Sequence, residues 1–317
     1  MERSFPLKPF KLRSLCFALL LFLNATAESQ QLQFSLVNKP VILDRIRESL
    51  PKNELREAKI KELFAGVGCS AATAEQPVKH LRTPNVICRL QGDTDEEIIV
   101  GAHYDKVSSG TGTIDNWSGA ALLPSLYQGL AWKKPHHTFV FVAFAGEEEG
   151  LVGSEYFVEH MASDELARTE AMINMDTLGL SYTRVWVHRA DRKLVQALLA
   201  VSASMKLPVG EVDVEAVGST DSESFAHKHI PSITIHSLTQ QTLRVLHSPS
   251  DTLQQLHPDE YYDTYRLVQA YLAYLDMHWP ITAPQGKPSG EKRHQFLDHR
   301  AKQRGAKAGG AATDATV

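Results

Sequence analysis

Six side chains in this sequence have the types and order needed to hold divalent cations and move a proton beside them. They are His103, Asp115, Glu147, Glu148, Asp176 and His247. They occur in the strings GAHYDKVSSGTGTIDNWSG, AFAGEEEGLVGSEYF, INMDTLG and LHSPSDT, each at or just past an apolar run or in a loop. Two imidazoles and three carboxylates suit a pair of borderline-hard ions, and the remaining Glu suits a general base. The expected chemistry is hydrolysis assisted by two zinc ions.

Each residue also has a plainer reading. In His103-x-Asp105 the imidazole can enter a site while Asp105 orients its surroundings, but a lone His-x-Asp is weak evidence. Asp115 stands in Asp-Asn-Trp-Ser-Gly, where a loop meets a helix. Its carboxylate can give one oxygen to each of two cations, or simply cap the helix. Asn116-Trp117-Ser118 reads as a glycosylation sequon, set aside because sugar there would obstruct the mouth of a catalytic loop. Glu147, Glu148 and Glu149 repel one another beside an apolar strand, which calls for a compensating cation. One carboxylate on metal and a second left free to accept a water's proton is the arrangement hydrolysis needs. Asp176 follows the run Ala171–Met175, flanked by Asn174, and His247 lies in a loop before the last helix, where Asp251 and Thr252 are placed to cap or brace it.

The elements that must position these groups are legible as periodicity. Strand-like runs fall at Asn85–Leu90, Glu97–Ala102, Thr138–Phe144, Ala171–Met175, Arg184–His188 and Ser232–His236. Helical spacing marks Val41–Leu50, Glu54–Phe64, Ser118–Trp132, Leu151–Met161, Asp191–Met205 and Pro258 to about His278. Continuous apolar strands alternating with helices indicate an α/β fold, a three-layer α/β/α sandwich around a mixed, mostly parallel sheet. The segments within Asn85–Ala102 are expected to pair as an antiparallel edge. In such sheets ligands sit beyond the carboxyl ends of the strands, where His103, Glu147, Glu148 and Asp176 fall.

With those motifs in hand, the stretch from Asn85 to Leu253 resembles the co-catalytic two-zinc aminopeptidases, the aminopeptidase Y and bacterial leucyl aminopeptidase family. It carries H-x-D, D-N-x-S-G, E-E-x-G-x-x-G-S, N-x-D and H-x-x-x-D. The resemblance implies that His103 and Asp176 hold one zinc, that Glu148 and His247 hold the other, and that Asp115 bridges them. Glu147 would be the general base that takes a proton from a zinc-held water, and Asp105 would assist catalysis. GSTDSESF, with Asp221 and Phe225, resembles a family stretch near the substrate cleft, here with Thr220 in place of Ser. Trp117 occupies a position usually small, and is expected to reshape the substrate pocket. The implied substrate is a peptide with a free N-terminus. A glutaminyl-peptide cyclotransferase on the same fold and a non-catalytic peptide-binding relative are the alternatives.

Composition and the two ends set the remaining expectations. A net charge of −4 across 317 residues gives no basic surface for nucleic acid. Arg3, Lys8, Lys11 and Arg13 precede the apolar run Leu15–Leu23 and then Ala25-Thr26-Ala27. This pattern predicts a signal peptide, residues 1–27, and a secreted or periplasmic product cut after Ala27. The run is far shorter than the ~20 residues a membrane-spanning helix needs, so no integral membrane protein is expected. Export favours a disulfide between Cys69 and Cys88 over two small buried thiols. Residues 28–283 are expected to form a single catalytic domain, acting as a monomer. Residues 284–317, rich in Gly, Ala, Lys and Arg, are expected to be a disordered tail.

Overall fold

Seven consecutive apolar or β-branched residues, Thr138–Phe144, leave no polar face for water, and the chain buries all seven. In the computed structural model this segment lies inside an eight-stranded sheet. The structure describes residues 34–69, 73–211 and 218–280; the expected signal peptide and C-terminal tail lie outside them. The strands are β1 (Thr73–Gln76), β2 (Asn85–Leu90), β3 (Glu97–His103), β4 (Thr138–Phe144), β5 (Thr169–Met175), β6 (Arg184–Val185), β7 (Gly210–Glu211) and β8 (Ser232–His236). The helices are α1 (Lys39–Arg47), α2 (Asn53–Gly66), α3 (Ser118–Ala120), α4 (Leu123–Leu130), α5 (Val152–Glu159), α6 (Ser163–Arg168), α7 (Arg192–Met205), α8 (Ser222–Ala226) and α9 (Pro258–His278).

The sheet order is β1-β2-β4-β3-β5-β8-β6-β7. Its centre, β4, β3, β5 and β8, is parallel, while β2 runs antiparallel to β4 and β6 antiparallel to β8. Period-two alternation sends neighbouring residues to opposite faces. Ile99, Val140, Val142, Phe144 and Met172 meet Phe157 and Phe225, from α5 and α8, on one side. Ile98, Val100, Phe141, Ile173 and Ile235 meet Ile42, Phe64, Leu126, Leu198 and Tyr271, from α1, α2, α4, α7 and α9, on the other. Three layers result, as the alternation of strands and helices implies.

Local chemistry explains several boundaries. Asp191 caps α7 by accepting from the backbone N–H groups of Lys193 and Leu194. The expected helix Ser118–Trp132 is divided, because Pro124 brings no N–H and starts α4 afresh. The expected strand Arg184–His188 pairs over two residues before turning at Val187–Arg189. Asn85–Leu90 is antiparallel as expected, but its partners are β1 and β4; Glu97–His103 is inserted parallel between β4 and β5. Among the described residues no helix is long and apolar enough to cross a membrane.

Cys69 and Cys88 are bonded, joining the end of α2 to β2 across 19 residues with Cα atoms 6.2 Å apart. Closing a loop of this length removes unfolded-state entropy worth about 3 kcal/mol. The Cys69→Ala, Cys88→Ala double variant is therefore expected to lose about that much stability in urea unfolding. An unchanged midpoint would show that the bridge contributes nothing.

Candidate metal centre

The centre forms where three strands end at one edge of the sheet and two loops meet them. His103 is the last residue of β3, and the turn Gly146–Glu149 follows β4. Gly146 makes that turn in the left-handed region, φ 68°, which favours glycine; a Cβ there would lie 2.6 Å from Leu81 Cδ1 and push that side chain aside. Asp176 directly follows β5. Asp115 sits in a wide turn leading into α3, outside helical geometry and bonded to Asn116 through a cis peptide. His247 comes from the loop before α9. His247 and Thr177, neither of them glycine, hold left-handed backbones at φ 53° and 60°, the kind of local strain that surrounding structure must impose.

The structure brings all five expected ligands together as two triads sharing one carboxylate. His103, Asp115 and Asp176 offer ligand atoms within 4.8 Å of one another, as do Asp115, Glu148 and His247. Asp115 faces both ways: its Oδ1 is 3.3 Å from His103 Nε2, and its Oδ2 is 3.3 Å from His247 Nε2. His247 Nε2 is also 2.9 Å from Glu148 Oε2, and His103 Nε2 is 3.8 Å from Asp176 Oδ1. Glu147 belongs to neither triad, yet its Oε2 lies 3.9 Å from His103 Nε2.

Charge in the cluster shows what it demands. Burial pushes the Glu147 carboxyl up to about 10, with His103 opposing and Asp221, Asp176 and Asp115 adding to the rise. Burial raises Glu148 as well, against His247. Burial would also raise Asp115, but its hydrogen bonds with His103 and His247 outweigh it and hold the carboxyl low. His247 is raised to about 10 by hydrogen bonds with Asp115 and Glu148. His103 is raised although burial opposes it, because Glu147, Asp105, Asp115 and Asp176 surround it. Glu148 Oε1 is buried without a hydrogen-bond partner among the described residues. The cluster thus draws positive charge to itself, as protons on His103, His247 and Glu147 or as a cation in their place, and the mix of imidazole and carboxylate fits zinc.

Groups behind the ligands hold them in place. Asp105 accepts from the backbone N–H of Glu147 at 3.1 Å and of Glu148 at 3.2 Å, and its Oδ1 lies 3.5 Å from His103 Nδ1. Thr220 donates to Asp176 Oδ2 at 2.8 Å and receives from Asn174 at 2.7 Å. Asp251 accepts from the N–H groups of Ile114 (2.7 Å) and Asp115 (3.3 Å), so the brace expected in the His247 loop reaches across to the Asp115 turn.

Two positioning residues escape a sequence reading. Asn116 is fully buried; it donates to Met175 O and accepts from the N–H groups of Gly119 and Thr177. It thereby pins the Asp115 turn to the Asp176 loop, and no room for sugar exists. Arg56 is also fully buried and donates to Tyr104 O, Thr111 O and Gly112 O, strapping α2 to the segments around Asp105 and Asp115.

The three residues expected near substrate lie in the interior. Trp117 is fully buried, donates to Arg45 O at 3.0 Å and lies under the Arg56 guanidinium at 5.5 Å. It fills the core behind the Asp115 turn and does not wall a pocket. Phe225 is fully buried with ring centroids 6.0 Å from Phe144 and Phe157. Asp221 is fully buried too; burial pushes it up to about 7, with His103 opposing and Asp105 and Asp176 reinforcing. Apolar packing, rather than the cleft, claims Trp117 and Phe225, while Asp221 stands behind the ligands.

Comparison with known proteins agrees with this geometry. Residues 85–272, more than half of the chain, match peptidase family M28. The chain is 31% identical over 142 residues to leupeptin-inactivating enzyme 1 of Streptomyces exfoliatus, covering 44% of this chain and 32% of that protein. It is 27% identical over 180 residues to aminopeptidase YwaD of Bacillus subtilis (strain 168), covering 55% of this chain and 40% of that protein. It therefore spans well under half the length of these curated relatives. An aminopeptidase from Aneurinibacillus sp. strain AM-1 superposes with a TM-score of 0.55 at 25% identity, over 61% of this chain and 48% of that one. An Acidobacteriales bacterium glutaminyl cyclase shares the fold, with a TM-score of 0.67 at 18% identity over 80% of this chain and 99% of that one. By the extent of the family match, whose span includes the residues that converge here, this chain belongs to peptidase family M28.

Proposed function

We propose that the protein is an exported, zinc-dependent aminopeptidase, with His103 and Asp176 on one ion, Glu148 and His247 on the other, and Asp115 between them. The observation that carries this reading is the shared carboxylate of Asp115, one oxygen toward each triad, with Glu147 left free beside them. Bound zinc would supply Lewis acidity there, making a water more acidic and a scissile carbonyl more electrophilic. Glu147 Oε2 receives the water's proton and returns it to the leaving amine. Asp105 keeps Glu147 and Glu148 aimed from adjacent positions by holding both of their N–H groups. The gathered carboxylates favour an ammonium group at the mouth, which suits a free peptide N-terminus, and relatives are named aminopeptidases. The Leu15–Leu23 run and the Cys69–Cys88 bridge support export and an oxidising compartment.

One observation favours a second reading, glutaminyl-peptide cyclisation: the cyclase is matched over 99% of its length. A panel of aminoacyl-p-nitroanilides, amino-blocked controls and N-terminal Gln peptides, each with and without chelator, separates the two. Release of p-nitroaniline from free-amine substrates only, lost with chelator and restored by zinc, is the expected result. Pyroglutamyl product without p-nitroaniline release would favour the cyclase.

A further inference from the structure

Beside the metal centre the rim of the sheet holds a cavity of about 270 Å³, lined by Asn53, Glu54, His80, Arg82, Gly146 and Glu149 among others. Its place follows from the strand register. β2 runs antiparallel to β4, with Val86 opposite Ala143, and Asn85 accepts from the N–H of Ala145 at 3.0 Å. The residues that lead into β2 therefore reach the end of the sheet where the Gly146–Glu149 turn begins. Glu149 is two residues beyond Glu147, and two extended residues span at most about 7 Å. A peptide whose first bond lies at Glu147 covers that distance with one or two residues on its leaving side.

We infer that this cavity receives the C-terminal end of a short peptide, whose terminal carboxylate is held by Arg82 with His80 alongside, making the enzyme selective for di- and tripeptides. The inference rests on the aminopeptidase reading above. Arg82 is exposed, and among the described residues no carboxylate forms an ion pair with it. Its planar guanidinium matches a carboxylate with two parallel hydrogen bonds. Glu54 and Glu149 share the cavity and repel a bare anion, but they accept hydrogen bonds from peptide N–H groups. A peptide end carries both the acceptors that Arg82 needs and the donors that the glutamates need. The cavity volume sits near the lower limit of small-ligand sites, which suits one or two residues.

The test compares Leu-Gly and Leu-Gly-Gly with their C-terminal amides, using Leu-p-nitroanilide as a substrate with no terminal carboxylate. For the zinc-loaded wild type, KM is expected to be about tenfold lower for the free acids than for the amides. Arg82→Gln should abolish that difference through KM while leaving kcat and Leu-p-nitroanilide hydrolysis unchanged. Arg82→Lys should restore part of it. Equal KM for acid and amide in the wild type, or a preference that survives Arg82→Gln, overturns the inference while leaving the aminopeptidase reading intact. Failure to cleave any of these substrates sinks the aminopeptidase reading instead. Calorimetric titration of zinc-loaded Glu147→Gln protein with Leu-Gly-Gly and its amide then decides alone: tighter binding of the acid supports the carboxylate site, and equal binding refutes it.

Discussion

Glu147→Gln protein should retain its zinc and lose turnover by roughly 10²–10⁴-fold, the usual contribution of a positioned general base. Both triads are complete without Glu147, so ion content has no reason to change. Gln keeps the size of the side chain and the backbone N–H bond to Asp105, so the turn should hold its shape. What disappears is the oxygen that accepts a proton next to His103. The loss should fall on kcat with little movement in KM, because the substrate's contacts remain. Steady-state hydrolysis of Leu-p-nitroanilide, together with zinc content by atomic emission, checks both halves. Activity within tenfold of wild type would remove Glu147 from the proposed role.

Asp115→Ala should be just as damaging by a different route. It takes a ligand from both ions at once, whereas Asp176→Ala or Glu148→Ala takes one from a single ion. Zinc bound at equilibrium is expected to fall below one ion per chain, with activity near background. Ligand binding stabilises a fold by RT ln(1 + [L]/Kd), about 2.7 kcal/mol at a hundredfold excess over Kd. The melting temperature of the wild type should therefore rise with added zinc, and that of Asp115→Ala should stay flat. Misfolding is separable from metal loss, because Asp251 still holds the Ile114 and Asp115 N–H groups in the variant. Two tightly held zinc ions in Asp115→Ala would contradict a bridging role.

Much of this centre could be read from the chain because its ligands are anchored to the least ambiguous elements. β3 and β4 are buried along their whole length, so their sequences are unbroken apolar runs, and the polar residues that follow are conspicuous. The long helix Pro258–His278 has the bounds its periodicity gives, since a proline opens it. Short pieces were not legible. β1, Thr73–Gln76, has no apolar alternation and exists by pairing with β2. The supporting residues were hidden for another reason. Arg56 looks like one more charge on an amphipathic helix, and three of its backbone carbonyl partners come from 48 to 56 residues away. Asn116 was masked by a sequon it cannot use once buried. Trp117 and Phe225 show the opposite error: motif position suggested the cleft, but large apolar rings are stabilised more by burial than by solvent contact.

The contact between Asp251 and the Ile114–Asp115 backbone joins points 136 and 137 residues apart along the chain. Loop closure over such a span costs entropy that only the nearly complete fold recovers. A nascent polypeptide thus carries His103 and the Glu147–Glu148 pair before Asp251 is available to brace the Asp115 turn. The proposed centre would be complete only once the late loop that bears His247 and Asp251 clasps the early turn at Asp115, so a partly made chain would carry an unfinished, inactive blade.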